Sequence, residues 1–439
     1  MNDKKYKNKL FNSTFKHVLR IFFVNGVKKT LRSIPKAISV ILLLGLFLFV
    51  IVITDKYYRA KTILTVLDKI VRFSNIIIIT VILMLTLTVL LIFFGKPKNA
   101  HKYHNDFQRC GMVNSAGESP ALIKRTPQKR NSRIEKFVFF SKGLPISLWN
   151  DNKEKIESAL NLSIDVIEQG KDKQHFEVYA VDGSYVLPNR IDWNSSLMNR
   201  ENSILVLGES IANKVEVDLS KVPHLLLGGS TGSGKTLLLK LLLMQCLEKD
   251  FYVYIADFKG GVDFNKSWKS KANIITEPNV LVVCLDNIVK ELHNRMRLFS
   301  ELGCANIDEY NKRFNDNMSR VVFGCDEVAE LLDKTGLDKK AKEVIAKYES
   351  GIATIARLGR AFGVHLMLAT QRPDANIISG QIKNNIDFRA CGRADNILSQ
   401  IILDKTDAND LISKNAQGRF LTNTNVLFQA YYFDDTEGW

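Results

Sequence analysis

The segment HLLLGGSTGSGKTLLLKLLL, which begins at His224, constrains the fold of this chain more than any other. An apolar run enters a glycine-rich turn and leaves it as a leucine-rich run. Residues 229–236 match the pattern G-x-x-x-x-G-K-[ST], whose glycines let successive backbone N–H groups face a phosphate. The pattern requires a strand before it and a helix after it. The segment therefore predicts an α/β domain with a mainly parallel sheet, helices on both faces and a phosphate-binding loop, or P-loop.

This loop assigns chemistry to particular side chains. We expect the Lys235 ammonium to reach the β- and γ-phosphates of ATP and the Thr236 hydroxyl to ligate Mg²⁺. The positive end of the following helix also points at the phosphates. The predicted nucleotide-binding residues are Gly229, Ser230, Thr231, Gly232, Ser233, Gly234, Lys235 and Thr236. The sequence thus predicts a site for ATP and Mg²⁺.

Polar residues follow two later apolar runs. In RVVFGCDEVAELL, the run ends at Asp326 and Glu327. Nucleotide hydrolysis needs an acidic group near the metal and a group that polarises the attacking water, so we assign these roles to Asp326 and Glu327 respectively. In GVHLMLATQRP, Gln371 follows the run, and its amide has the donor and the acceptor needed to sense the γ-phosphate or orient water. A further run ends at Asp257, at the start of DFKGGVDF, where a loop at the ligand crevice and a plain surface turn both remain open.

Arginines near the last of these runs are candidates for a finger that reaches the γ-phosphate of a neighbouring subunit in a ring. Arg357 and Arg360, in IATIARLGRAFG, are predicted to be catalytic in this way. Solvent-exposed helix arginines are the alternative for both, and Arg389 and Arg393 are rival candidates.

Two uncharged apolar segments precede this domain, at residues 38–53 and 74–94. With a few neighbouring residues, each approaches the roughly 20 residues that a helix needs to cross the hydrocarbon core. We predict two transmembrane helices, with a buried hairpin of a soluble protein as the alternative. An even number of spans and a basic N-terminus predict that both ends of the chain are cytoplasmic.

The charge of the chain is unevenly distributed. Residues 1–102 contain 18 Lys and Arg and 3 Asp and Glu, which accounts for the whole net charge of +15. This excess flanks the apolar segments, so it indicates membrane topology rather than broad DNA binding. Any contact with DNA must come from local patches, either Lys259, Lys266, Lys269 and Lys271 or residues 377–389 with Lys383, although plain surface is the alternative for both.

The six cysteines contain no C-x-x-C pair, which excludes a zinc site of that type and favours free thiols.

The composition also predicts the domain organisation. Prolines and the stretch KRTPQKRNSRIEK indicate a linker, with a surface arm that contacts DNA phosphates or anionic lipid headgroups as the alternative. The alternating runs KFVFF and HFEVYAV indicate strands, and NKEKIESALNLSIDVIEQG has helical spacing ended by Gly170. We therefore expect a basic cytoplasmic N-terminus (1–37), two transmembrane helices with a short loop (38–95), a basic linker (96–136), a small α+β module (137–204) and the ATPase domain (205–439).

Five stretches occur in an informative order: VPHLLLGGSTGSGKT, DFKGGVDF, DEVAELL, ARLGRAFGVHLMLATQRPDANIISGQIKNNIDFR and QGRFL. Over residues 205–433 the chain resembles the FtsK/SpoIIIE family of ring-forming DNA-translocating ATPases. The stretches DFKGG and DEVAELL are similar to those of the TcpA/ConQ-like coupling proteins of Gram-positive conjugative elements. The resemblance implies a RecA-like motor, a homo-hexamer with a central pore, and binding of DNA without sequence preference.

The resemblance further implies a coupling protein in the cell membrane, with a cytoplasmic motor that delivers DNA to a conjugative type IV secretion channel. A relaxase and channel components are the implied partners, and the strandedness of the DNA stays open. One alternative is the ATPase of a type VII-like protein secretion system, although those chains usually carry several ATPase modules and this one has one. The other is a chromosome-partitioning translocase without its winged-helix domain, since chromosome-segregating members usually carry more spans and a C-terminal winged helix that we do not expect here.

Overall fold

The computed structural model describes residues 2–59, 66–127, 133–258, 260, 262–371 and 380–436, with side chains from residue 14 onwards. The chain forms two units, Met1–Tyr185 and Val186–Trp439. The first unit begins with three long helices, α1 (Asn2–Leu31), α2 (Ile34–Arg59) and α3 (Val66–Gly95). Helices α2 and α3 contain the two predicted apolar segments and are long and apolar enough to cross a membrane. Residues 2–31 form a helix where the sequence predicted only a basic N-terminus.

Two glycines bring α1 and α3 together. A Cβ atom on Gly26 would lie 1.8 Å from the carbonyl oxygen of Leu91, and one on Gly95 would lie 1.7 Å from that of Phe22. Any larger residue at either position would force the helix backbones apart, as at the small-residue contacts of membrane helices. The Lys29 ammonium lies 3.5 Å from the carbonyl oxygen of Gly95, where a cation favours a helix C-terminus. The crossing therefore fixes α1 against the last turns of α3.

The rest of the first unit is a small α+β module. Its elements are α4 (Ala100–Arg109), β1 (Ala121–Pro127), β2 (Glu135–Phe140), α5 (Ile146–Asp151), α6 (Lys153–Leu160), β3 (Leu162–Gln169) and β4 (His175–Asp182). The strands form one antiparallel sheet in the order β1-β2-β4-β3. Aromatic side chains fill the core, where Trp149 stacks on Phe176 at 4.9 Å and meets Phe107 edge-on at 5.4 Å.

The predicted linker over residues 96–136 is wrong, because α4 and β1 belong to this module. Tyr103 and Phe107 lie one helical turn apart on α4, and both are buried against the aromatic core. Their charged neighbours hide this apolar face in the sequence. Strand β1 is an edge strand that pairs along its length with β2, which satisfies the backbone groups on that side. Residues 128–132, within the stretch that suggested a linker, lie outside the described residues.

Two further boundaries differ from the prediction. The helix predicted to run to Gly170 ends at Leu160, because Asn161 adopts a left-handed conformation with φ 51°. The following residues form β3, whose β-branched side chains suit pairing with β4. The first unit also ends at Tyr185 rather than at residue 204, since β5 (Ile191–Asp192) pairs in the second unit.

The second unit contains one large mixed sheet. Its other strands are β6 (Ile204–Ser210), β7 (Lys214–Asp218), β8 (His224–Gly228), β9 (Tyr252–Ala256), β10 (Asn273–Ile275), β11 (Val321–Cys325), β12 (Val364–Thr370), β13 (Phe388–Cys391), β14 (Arg419–Thr422) and β15 (Leu427–Tyr432). The order is β10-β9-β11-β12-β8-β13-β14-β15-β6-β7, with β5 beside β15. In this order across the sheet, the strands β10, β9, β11, β12, β8 and β13 are parallel to their neighbours. The remaining pairs, from β13-β14 to β6-β7, are antiparallel.

Helices cover both faces of this sheet. They are α7 (Lys235–Glu248), α8 (Lys266–Lys271), α9 (Pro278–Leu302), α10 (Ile307–Phe314), α11 (Val328–Leu332), α12 (Lys339–Phe362), α13 (Gly380–Lys383), α14 (Asn396–Leu403) and α15 (Asp407–Leu411), together with a short 3₁₀ turn at Ser195–Leu197. Alternate strand residues enter two cores: Leu226 and Leu366 pack with α9 and α12, whereas Leu225 and Met367 pack with α7. The predicted α/β P-loop fold is confirmed, and the cysteines are free thiols as predicted.

Two buried histidines lie where β8 and β12 begin. The His365 Nδ1–H donates to the carbonyl oxygen of Pro223 at 3.0 Å, and Arg320 lies 3.4 Å from its other nitrogen. The Leu366 N–H donates to Nδ1 of His224 at 3.0 Å. Burial lowers the pKa of His224 to about 3, and burial together with Arg320 lowers the pKa of His365 well below its usual value. Both rings are therefore neutral in the folded protein.

Acid should destabilise the second unit through these rings. In the unfolded chain His224 takes up a proton below a pKa of about 6.5, whereas in the folded chain it does not. The free energy of unfolding therefore falls by about 2 kcal/mol through this residue between about pH 7.5 and pH 5. Chemical denaturation of the full chain in detergent at several pH values measures the slope. His224→Gln should reduce the loss of unfolding free energy between these two pH values by that amount, and the exposed control His293→Gln should leave the loss unchanged. A His224→Gln slope equal to that of the wild type would contradict the assignment.

Candidate functional site

The P-loop lies between β8 and α7, at the carboxyl end of the parallel strands. Gly232 and Gly234 have φ values of 77° and 93°, in the left-handed region that glycine adopts without strain. At Gly234, a Cβ atom would also lie 3.0 Å from the backbone nitrogen of Gly418. Because α7 begins at Lys235, its unpaired N–H groups and its positive end face the loop. The loop therefore has the geometry of an anion site.

Lys235 and Thr236 meet Asp326, which follows β11. The Lys235 ammonium lies 2.7 Å from Oδ1 of Asp326, and the Thr236 hydroxyl donates to the same oxygen at 2.9 Å. Strand β12 separates β8 from β11 in the sheet, so the contact spans two strand spacings at one edge. Lys235 and Asp326 are 3% and 4% exposed, so each charge is compensated by the other. The structure thus joins three of the predicted site residues.

The Thr236 hydroxyl and the Asp326 carboxylate suit Mg²⁺. Both offer the hard oxygen atoms that this ion prefers, and an octahedral ion with bonds of about 2.1 Å holds neighbouring ligands about 2.9 Å apart. Their oxygens are 2.9 Å apart. In the described parts of the chain, no group of three or more His, Cys, Asp or Glu side chains is arranged to hold a metal. Phosphate oxygens and water would therefore complete the coordination.

Glu327 is held from two sides by the end of β12. The Thr370 hydroxyl donates to its Oε1 at 2.7 Å, and the Gln371 N–H donates to its Oε2 at 2.9 Å. The Thr231 hydroxyl of the P-loop donates to the side-chain oxygen of Gln371 at 2.8 Å. A chain of hydrogen bonds therefore links the loop, Gln371 and Glu327. Sequence reasoning missed Thr370, although it directly precedes Gln371 at the same strand end.

Two further residues complete this edge. Asp257 follows β9, is 5% exposed and lines a small cavity with Asp326 and Glu327. Arg393 follows β13 and donates to the carbonyl oxygen of Thr231 at 2.6 Å, while its own carbonyl oxygen accepts from the Ser230 N–H at 2.8 Å. The sequence predicted Arg393 only as a rival finger, whereas the structure makes it a support of the P-loop in its own chain.

A cavity of about 130 Å³ opens beside Gly234. Leu237 lines it from the first turn of α7, and Gln417 and Tyr432 line it from the region of β14 and β15. The guanidinium of Arg190 lies 3.8 Å from the ring centre of Tyr432. Flat, partly apolar surfaces of this kind suit the base of a nucleotide whose phosphates occupy the loop.

Comparison with known proteins identifies the family. Residues 192–375 match the model of the FtsK/SpoIIIE family. The structure of the pCW3 conjugation coupling protein TcpA, a monomer form with ATPgS, is 36% identical, covers 78% of this chain and 97% of that chain, and superposes with a TM-score of 0.57. The chain belongs to the FtsK/SpoIIIE family. The predicted family and the predicted class, a P-loop ATPase, are confirmed.

Curated relatives in the FtsK/SpoIIIE family include two called DNA translocase FtsK. The protein of Chlorobaculum tepidum is 34% identical over 243 residues, which are 52% of this chain and 28% of that protein. The protein of Clostridium acetobutylicum is 31% identical over 326 residues, which are 71% of this chain and 40% of that protein. The chain therefore spans less than half the length of these relatives.

Other predicted residues of this FtsK/SpoIIIE-family chain lie away from the P-loop. Arg357 and Arg360 are exposed on α12, and Arg360 donates to the carbonyl oxygen of Ser220 at 3.2 Å, before β8 begins. The P-loop follows the other end of β8, about 15 Å away along five residues. Both arginines are thus remote from the site of their own chain, and a finger role in a neighbouring subunit stays a prediction. Arg389 pairs with Asp404 at 2.6 Å.

The lysines predicted to contact DNA differ in their surroundings. Lys266, Lys269 and Lys271 are exposed on α8, with Lys271 3.9 Å from Glu248. Lys383 pairs with Asp404 at 2.6 Å. Lys259 and most of the loop before Lys383 (372–379) lie outside the described residues. The three α8 lysines are therefore the more available of the two predicted sets.

Replacing Glu327 by glutamine should stop ATP hydrolysis without stopping ATP binding. The amide has the size and shape of the carboxylate but is too weak a base, so kcat should fall by a factor of about 100 or more. Steady-state hydrolysis and binding of a fluorescent ATP analogue measure the two effects. Glu343→Gln, an exposed change on α12, is the control and should keep the wild-type kcat. A normal kcat in Glu327→Gln would remove Glu327 from the base role.

Proposed function

We propose that this protein is a membrane-anchored ATPase that translocates DNA, and that it acts as a coupling protein delivering DNA to a conjugative type IV secretion channel. The observation that carries the proposal is the likeness to TcpA, a conjugation coupling protein, at 36% identity over 97% of that chain. The curated relatives called DNA translocase support DNA as the substrate. A relaxase and channel components are the proposed partners.

ATP binding would rearrange the buried contacts of the P-loop. The loop N–H groups and Lys235 bind the β- and γ-phosphates, so Lys235 exchanges Asp326 for phosphate oxygens. This exchange leaves the Asp326 carboxylate, together with the Thr236 hydroxyl, available to Mg²⁺. When bound, Mg²⁺ neutralises charge on the phosphate oxygens. The base and ribose lie on the Leu237 side of Gly234, in the cavity of about 130 Å³.

Hydrolysis depends on Glu327 as the group that polarises the attacking water. Thr370 and the Gln371 N–H each use one lone pair of its carboxylate, and each oxygen keeps another for water. The carboxylate is therefore oriented before water arrives, which lowers the reorganisation needed for proton transfer. Because Gln371 also accepts from Thr231, loss of the γ-phosphate changes the contacts at the end of β12. This link is the proposed route by which hydrolysis changes the contacts of Gln371.

DNA contact would be local and independent of sequence. A motor that moves along any sequence needs contacts to phosphates, which carry no base information. The exposed Lys266 and Lys269 on α8 are the proposed contacts, and α8 follows the loop that starts at Asp257, next to the catalytic acids. In the proposed homo-hexamer, Arg357 or Arg360 of one subunit approaches the nucleotide of the next. The proposed anchor is the pair α2 and α3, with the N-terminus and the motor in the cytoplasm.

DNA should stimulate the ATPase activity of the full chain in detergent or in lipid vesicles. We expect a rate increase of several-fold that weakens as salt rises, because phosphate contacts release counterions. Assays with single-stranded DNA, duplex DNA, a polypeptide and no addition measure it. Lys235→Ala should abolish basal and stimulated hydrolysis, while Lys214→Ala, an exposed lysine, should change neither. Wild-type protein that neither binds DNA nor responds to it would refute the proposal.

The α8 lysines should affect stimulation alone. The double variant Lys266→Ala with Lys269→Ala should keep the basal rate and lose most of the increase caused by DNA, with a smaller salt slope of DNA binding. The matched control is Lys339→Ala with Lys340→Ala, which removes the same charge from the exposed start of α12. Equal losses in the two double variants would exclude α8 as the contact.

A further inference from the structure

The first unit contains a cavity of about 280 Å³ that the ATPase chemistry does not use. One helical face of α1, with Thr14, Val18 and Phe22, forms one side of it. His104 of α4 and Glu118, before β1, line the other side. Lys96, the first residue after α3, stands at its border.

The position of the cavity relative to α3 sets the level at which the cavity would lie in a membrane. Phe22 contacts Gly95 and Gly26 contacts Leu91, so α1 and α3 run antiparallel. The residues before Phe22 therefore lie beyond the C-terminal end of α3, away from its apolar part. Thr14 lies eight residues earlier, about 12 Å beyond the level of Gly95. The polar region of each leaflet is about 5–7 Å deep. With α3 in a membrane, the cavity therefore begins in the layer of lipid headgroups.

The cavity combines apolar walls with an uncompensated carboxylate. Glu118 is 8% exposed, and its Oε2 accepts from Asn114 at 2.8 Å. Its Oε1, like the hydroxyl of Thr14, is buried and has no hydrogen-bond partner among the described residues. His104 does not supply a charge, because burial lowers the pKa of its ring and its Nδ1 lies 2.7 Å from the hydroxyl of Ser119. A buried carboxylate oxygen without a donor is costly, which indicates a ligand that donates hydrogen bonds.

We propose that this cavity binds the headgroup of one amine-bearing phospholipid from the cytoplasmic leaflet. The ammonium group of the lipid donates to Glu118 and to the Thr14 hydroxyl, and its phosphate pairs with Lys96. The apolar side chains Val18 and Phe22 contact the glycerol and the start of the acyl chains. This inference rests on the membrane anchoring in the proposed function. A choline headgroup fits poorly, because its methylated nitrogen has no N–H to donate.

Bound lipid would connect α1 to the module. Between these elements the side-chain nitrogen of Asn25 donates to the carbonyl oxygen of Ile123 at 3.3 Å, on the β1 side of the cavity. A headgroup held by α1, α4 and the segment before β1 adds contacts to all three. The lipid is therefore expected to stabilise the membrane-proximal unit rather than to change the chemistry of ATP.

The test uses the full chain in vesicles that contain equal amounts of phosphatidylethanolamine, phosphatidylglycerol and phosphatidylcholine. After mild detergent extraction, native mass spectrometry counts the lipids kept by each chain. We expect one retained phosphatidylethanolamine, and Glu118→Gln should lower its retention at least tenfold. Glu154→Gln, an exposed change on α6, is the matched control and should retain it. Equal retention of the three lipids, a preference for phosphatidylglycerol, or equal retention in wild type and Glu118→Gln overturns the proposal.

A second variant covers the possibility of misfolding. Ala100→Leu adds three carbons to a buried residue that lines the cavity, so it should displace the lipid without removing a charge. Loss of lipid in this variant supports the site when its thermal midpoint, measured in detergent without lipid, is close to the wild-type value, and unchanged retention counts against the site. A carbonate wash separates the two proposals: release of the chain from the vesicles refutes membrane anchoring, whereas a chain that stays but keeps no lipid refutes the cavity assignment alone.

Discussion

Asp326 accepts hydrogen bonds from Lys235 and Thr236, residues that lie 91 and 90 positions away in the chain. The contact exists because β8 and β11 are parallel strands of one sheet, so both end at the same edge. It buries two opposite charges with little access to water, an arrangement that favours exchange of partners over loss of one. In the proposed mechanism, phosphates that attract Lys235 compensate its charge, and a cation compensates the carboxylate that Lys235 leaves. The arrangement of the nucleotide site depends on this single pairing.

The neighbouring strand end carries the proposed response to the nucleotide. Thr231, Gln371 and Glu327 form one hydrogen-bonded series between the P-loop and β12, and Thr370 closes it. In the proposed mechanism, the series couples the occupancy of the loop to the orientation of Glu327, which is the link that an ATP-driven motor requires. Arg393 supports the loop from the opposite side. Both sets lie on strand ends rather than on long loops, so the rigid sheet positions them.

In the first unit, close contact between helix backbones positions the long helices. Gly26 and Gly95 hold α1 against α3, and the aromatic core fixes α4 on the antiparallel sheet. The cavity bounded by α1, α4 and Glu118 lies next to the end of the apolar helix. Its polar atoms match a headgroup rather than a nucleotide. The two units thus offer two different kinds of site, one for phosphates in water and one at the proposed membrane surface.

The sequence by itself determined the P-loop, the strand that Asp326 and Glu327 follow, and the two long apolar helices. These features depend on local rules: glycine torsions, apolar periodicity and the residues that end a strand. Only the tertiary structure decided that α4 and β1 belong to a folded module, that Thr370 and Arg393 support the site, and that Arg357 and Arg360 lie at the far end of the sheet. Those facts depend on which distant strands pair and which ends they share, and residue spacing along one chain does not contain that information.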